Sequence, residues 1–130
     1  MILVASTAAF QGVPHMSLYG ATKGFDLLLG EALGEELKGA GVDVLVVSPG
    51  HTDTEFHAVA HVTGAVAGLS AAPEAVVKES LERLGRSRSF VHGWLNKFLV
   101  FVQRFAPRRL AVAVTGRLLR SRGGQPGAGS

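Results

Sequence analysis

The sequence predicts an α/β fold of about three parallel strands with flanking helices. Three observations carry this reading: two short apolar runs without polar alternation, a long amphipathic stretch joining them, and glycine and proline at the joins. A length of 130 residues leaves room for one domain and one hydrophobic core.

The first run, Ile2–Ala5, has the composition of a buried strand. Residues 6–16 mix small side chains with Gly12 and Pro14 and are expected to form a loop. From Ser17 to about Ala40 the pattern turns helical. Phe25, Leu28, Leu29, Ala32, Leu33 and Leu37 recur at three- and four-residue spacing as one apolar stripe. Ser17 is the expected N-cap, and Gly39 and Gly41 the expected stop. Such a helix is roughly 35 Å long, enough to cross a sheet. Val42–Val47 follows as a second buried strand, ended by Pro49-Gly50. Strand, helix and strand make a βαβ unit, so the strands should run parallel with a right-handed crossover.

Residues 51–72 carry a weak helical signal. Pro73-Glu74 opens a helix with Val77, Leu81 and Leu84 on one face, ending near Gly85. Ser89–His92 reads as a short third strand. Trp94–Phe105 is amphipathic, with Leu95, Phe98, Leu99, Val102 and Phe105 on one side and Asn96, Lys97, Gln103 and Arg104 toward the other. Pro107 opens a last helix to about Arg120, and Gly123–Ser130 is expected to be a disordered tail.

Composition narrows the function classes. An apolar share of 47% with 18% charged residues belongs to a folded chain and not to a disordered one. The absence of cysteine excludes disulfides, thiolate catalysis and thiolate zinc sites, and makes a reducing cytoplasm the expected compartment. No run approaches the roughly 18 apolar residues of a membrane span, and the N-terminus lacks the basic region of a signal peptide. Charge is segregated: residues 1–82 hold all ten acids and three lysines, residues 83–130 ten basic residues and no acid. This division admits an anionic surface as partner, or arginines that neutralise the acidic part. No nucleic-acid partner is expected.

The chemistry concentrates in three places. Tyr19 and Lys23 stand four apart, on one face of the long helix. A phenol with a pKa of about 10 is a poor proton donor or acceptor at neutral pH, and a neighbouring ammonium lowers that pKa. Ser6 ends the first strand, and Ser48-Pro49-Gly50-His51-Thr52-Asp53-Thr54 ends the second. His57 and His61 have a spacing that can clamp a metal, but Ala58 stands where a metalloprotease would place an acid, so no metal is expected.

A strand-end serine, a YxxxK helix and a PGxxxT turn, in this order and at these distances, resemble the short-chain dehydrogenase/reductase family. The resemblance is close over residues 1 to about 56 and looser through the Pro73 helix and the Ser89–Gly93 strand. It implies the C-terminal half of a Rossmann-like doubly wound sheet, and an enzyme moving a hydride between NAD or NADP and a carbonyl or secondary alcohol. Tyr19 would exchange the proton and Ser6 would hold the substrate oxygen. Lys23 would tune Tyr19 and bind the nicotinamide ribose. Pro49, Gly50, Thr52 and Thr54 would meet the nicotinamide carboxamide, with Thr52 standing where the family usually has valine. Ala8, Gly12, Val13, Pro14 and His15 would lie in the loop that lines the substrate pocket, with Ala8 and Val13 touching the substrate. Residues 55–70, with Ala58, Val59, Ala60 and Val62, would cover a small-molecule substrate of apolar character. A homo-oligomer is implied for the full-length form.

The glycine-rich phosphate turn of a dinucleotide fold is missing from these residues, because Gly12 follows the wrong strand and Gly39-Ala40-Gly41 ends a helix. Residues 1–122 are thus expected to be a catalytic half-domain, inactive alone, with Ile2–Ala5 as an unpaired edge strand. The alternative is a non-catalytic binding module whose basic amphipathic C-terminus docks on a membrane or a partner.

Overall fold

The computed structural model describes residues 1–50 and 71–122. Its elements run β1 (Ile2–Val4), α1 (Ser17–Glu36), β2 (Leu45–Ser48), α2 (Pro73–Arg83), β3 (Ser89–Val91), α3 (Trp94–Phe105) and α4 (Arg108–Arg122). Short 3₁₀ turns add Thr7–Phe10 after β1 and Lys38–Ala40 after α1. The strands form one parallel sheet in the order β1-β2-β3, pairing Leu3 with Val46 and Val47 with Phe90. The expected α/β architecture is therefore present. The Gly123–Ser130 tail, and Thr52, Thr54, His57, His61 and the covering segment, lie outside the described residues.

β2 is the centre of the molecule. Leu45, Val46 and Val47 are at most 2% exposed. Strand side chains alternate between faces, and β2 divides the core accordingly. Leu45 and Val47 pack with Val76 of α2 and Phe90 of β3. Val46 packs on the opposite face with Ala5 and with Leu27 of α1. A run that is apolar at every position is what a strand covered on both sides requires.

Several expectations about faces and ends are corrected. Ser17 is the first residue of α1 and not its cap; Met16 occupies the N-cap position without a side-chain hydrogen bond. The helix closes earlier than expected, at Glu36, and Gly41 with φ +70° supplies the left-handed stop. The stripe expected to face the core does not. Phe25 and Leu28 are exposed at 64% and 69%, while the buried positions of α1 are Gly20, Leu27 and Gly30. The reason is steric: a Cβ at position 30 would run into Val46 Cγ2, so the helix meets the sheet through its small residues. On α2 the core takes Val76, Ser80 and Leu84, and leaves Val77 and Leu81 on the open side. On α3 the buried residue is Asn96, expected to face water, whereas Phe98, Val102 and Phe105 are exposed.

β1 has a partner on one side only among the described residues. Leu45 N–H donates to Met1 O and Ala5 N–H to Val47 O, so the odd residues of β1 face β2 and the backbone groups of Ile2 and Val4 face the open edge. On the other side of the molecule α4 covers the loop after β1. Gln11 Nε2 donates to Thr115 Oγ1 at 2.8 Å, and Val112 lies over Gly12.

Two outcomes follow from these contacts. Gly30→Ala should lower the thermal midpoint, because an overpacked core costs about 1–3 kcal/mol against about 1 kcal/mol gained in helix propensity. Gly39→Ala, with open space around it, should not. Sedimentation velocity on the 130-residue chain should show concentration-dependent association through the open edge of β1 and the exposed apolar faces of α1 and α2; a compact monomer at all concentrations would contradict this.

Candidate active site

Chain topology brings the predicted residues to one place. Ser6 follows β1 and Pro49-Gly50 follows β2, so parallel pairing puts both at the same end of the sheet. Thr7 N–H donates to Pro49 O at 3.0 Å and ties the two turns together. The first turn of α1 starts beside them. A cavity of about 440 Å³ results, lined by Ser6, Tyr19, Lys23, Pro49 and Gly50 together. Its remaining wall is mainly apolar and comes from β1 and α2, including Val4, Val76, Val77 and Leu81.

Each polar group has a local cause for its position. Ser6 is 8% exposed and caps the 3₁₀ turn, its Oγ accepting from Ala8 N–H at 3.2 Å. A hydroxyl that accepts one bond still has its own O–H to donate. Tyr19 and Lys23 are one helical turn apart, which sets both against the cavity. Lys23 Nζ donates to Val4 O at 2.7 Å and to Asp26 Oδ2 at 3.2 Å. The ammonium thus reaches the carbonyl that the open edge of β1 leaves without a ladder partner.

Ala8 and Val13, expected to touch substrate, do not line this cavity. They pack instead beside Gly20 of α1, Val13 through its side chain and Ala8 through its carbonyl.

One residue of the site's support was missed. Asn96 lies over Gly50 so closely that any Cβ there would strike its amide, and Asn96 Nδ2 donates to His92 O at 3.0 Å. Helical periodicity put Asn96 among the water-facing residues. The available signal was the pair of glycines, Gly50 and Gly93, that give its side chain room.

Behind the cavity wall, Glu79 of α2 gathers an imidazole and two cations. His92 Nδ1 lies 2.5 Å from Oε2, Arg83 Nε donates to Oε1 at 2.8 Å, and Lys97 Nζ is 3.6 Å away. Burial by itself would raise the Glu79 pKa. The hydrogen bonds of His92 and Arg83 and the charges of Lys97 and Arg83 outweigh it and hold the carboxyl below the usual range. This cluster ties α2 to the ends of β3 and α3.

Comparison with known proteins adds the family. A family model described as short chain dehydrogenase matches residues 1–63. A 7beta-hydroxysteroid dehydrogenase of Collinsella aerofaciens is 35% identical over 102 residues, covering 75% of this chain and 38% of that protein. A solved structure from a study of 7beta-hydroxysteroid dehydrogenase stereoselectivity superposes with a TM-score of 0.77 at 30% identity, over 88% of this chain and 46% of that one. Over residues 1–63 the chain belongs to the short-chain dehydrogenase family. Its Rossmann-like sheet is shared with a further solved member, a short chain dehydrogenase from Burkholderia cenocepacia in complex with NADP, at 26% identity and a TM-score of 0.63 over 96% of this chain and 47% of that one. The chain spans 38% of the length of the curated Collinsella relative.

The Glu79 cluster makes a test of α2 docking. A carboxyl held below its unfolded pKa contributes stability that is present above the unfolded value and lost as pH falls through the folded one. Glu79→Gln should therefore lower the thermal midpoint at neutral pH, where hydrogen bonds to a charged group stabilise by about 1.5–3 kcal/mol. The gap between variant and parent should close as the pH drops below the usual carboxylate range. An equal gap at all pH values would show that Glu79 acts only through packing.

Proposed function

We propose that this chain carries the proton-transfer and nicotinamide-facing part of an NAD(P)-dependent oxidoreductase that interconverts a secondary alcohol and its ketone. The observation that carries the proposal is the meeting of Ser6, Tyr19 and Lys23 with the Pro49-Gly50 turn in one cavity. Their donor set, a phenol, a hydroxyl and an ammonium, suits the nicotinamide and ribose end of such a cofactor. The phosphate end finds no glycine-rich turn in this sequence. We therefore read residues 1–122 as a partial domain that acts when joined to a phosphate-binding half.

NAD(P)H supplies the hydride when bound. Tyr19 Oη gives the proton to the carbonyl oxygen in reduction and takes it back in oxidation. Ser6 donates its free O–H to the same oxygen and holds it beside Tyr19. Lys23 carries its charge on the same helix face as Tyr19 and offers N–H donors to the ribose hydroxyls. A strand added to the open edge of β1 would bring an N–H to Val4 O, and Lys23 could then turn its ammonium toward Tyr19. This gives a physical reason for the completed fold to be the active one. Thr52 and Thr54 complete the carboxamide contacts in this reading, and Ala8 and Val13 act on the substrate only through the loop they brace against Gly20. The relatives named as hydroxysteroid dehydrogenases and the apolar wall of the cavity support an apolar alicyclic substrate. The absence of cysteine fits a reducing compartment such as the cytoplasm.

The 130-residue chain alone should bind NADH and NADPH negligibly, since the pyrophosphate has no helix N-terminus to receive it; a low-micromolar Kd by calorimetry would contradict the partial-domain reading. In a protein that joins this chain to a phosphate-binding half, Tyr19→Phe should cut turnover by roughly 10²–10⁴-fold with cofactor affinity little changed. Lys23→Ala should lower turnover and cofactor affinity together, and Ser6→Ala turnover alone. Near-normal activity of the Tyr19 variant would end this assignment.

A further inference from the structure

α3 is built inside out. An amphipathic helix on a protein surface ordinarily turns its apolar stripe to the core. Here Asn96 is buried and holds His92 O, and Gln103, on the same side, has a buried Oε1. The opposite side carries Trp94, Phe98, Phe101 and Phe105 at a spacing of three and four residues, exposed at 78%, 58%, 60% and 73%. Phe101 and Phe105 pack edge to face with each other, their ring centres 5.1 Å apart. This is a contiguous aromatic stripe and not scattered exposure.

The stretch of sequence that carries it has charges of one sign. Residues 83–130 contain no acid. Three basic residues near the sheet are paired, Arg83 and Lys97 with Glu79 and Arg88 with Glu35. Beyond them, Arg104, Arg108, Arg109, Arg117 and Arg120 face no carboxylate within ion-pair distance among the described residues. At 100° per residue Arg104 flanks the stripe, and Arg108 and Arg109 begin the next helix, where Leu110 and Val114 are exposed in turn.

We propose that α3 and the start of α4 form a peripheral docking surface for an anionic lipid bilayer, the aromatic stripe entering the interface and the unpaired arginines meeting headgroup phosphates. Charge complementarity selects this occupant. A second copy would bring the same uncompensated cations against one another, whereas aromatic residues beside arginine match the acyl–headgroup boundary. At 12 residues α3 is about 18 Å long, too short to cross a core of about 30 Å, so it would lie in the plane of the surface. No described helix is long and apolar enough to span a membrane.

Trp94 is the single tryptophan of the chain and sits on the stripe, so its emission reports contact directly. Titrating the 130-residue chain with vesicles of equal parts phosphatidylcholine and phosphatidylglycerol should shift that emission to the blue and carry the protein to the top of a flotation gradient. Both signals should be absent with pure phosphatidylcholine and should fade in about 1 M salt, where the screening length falls to about 3 Å. Phe98→Ser with Phe101→Ser should weaken the partition at least about tenfold, and Arg108→Gln with Arg109→Gln about fivefold per charge. Far-UV circular dichroism should be unchanged, since all four positions are exposed; if a variant fails to fold, the lipid and salt dependence of the unmutated chain still decides. No partition into anionic vesicles, equal partition into neutral ones, or a blue shift that grows with protein concentration alone would overturn the proposal. None of these readouts depends on enzymatic turnover.

Discussion

The structure depends on the close approach of α1 to β2, made possible where Gly30 faces Val46. With any larger residue at that crossing, the helix would stand off the sheet, and packing forfeits much of its dispersion energy over gaps of an ångström or less. The same approach brings the first turn of α1 to the end of β1, and so Tyr19 and Lys23 to the mouth shared by Ser6 and the Pro49-Gly50 turn. Core and site are two ends of one helix seated on one strand.

That seating divides the molecule into a satisfied side and an open side. β2 is covered on both faces and paired on both edges. β1 has one free edge among the described residues, and Lys23 is drawn to it through Val4 O. The exposed Phe25 and Leu28 on α1, and Val77 and Leu81 on α2, belong with that edge as apolar surface lacking cover. α3 differs, because its outward aromatics stand beside arginines that face no carboxylate among the described residues, and Asn96 anchors its inward side.

Much of this could be read in the residues. Uninterrupted Val44–Val47, bounded by Gly41 and Pro49-Gly50, reads as a strand covered on both faces, and a helix between two such strands points to parallel pairing. The Tyr19–Lys23 spacing with Ser6 and Pro49-Gly50 marked the cavity before its shape was known. Helix orientation was less legible. Counting apolar residues put Phe25, Leu28, Val77 and Phe98 inward, and in each case the buried face went to Gly30, Val76 or Asn96.

The sequence by itself determined the order and type of the main elements and the likeness to a family, and it named the residues proposed to exchange a proton, because periodicity and side-chain chemistry are local properties. Tertiary structure decided which face of each helix is inside, that Asn96 seats against Gly50, that Glu79 gathers His92, Arg83 and Lys97, and that Lys23 reaches Val4 O. Those outcomes rest on distances between segments far apart in the chain. A helix with apolar residues on two faces can be oriented only by the surface it meets, and here that surface asked for small side chains.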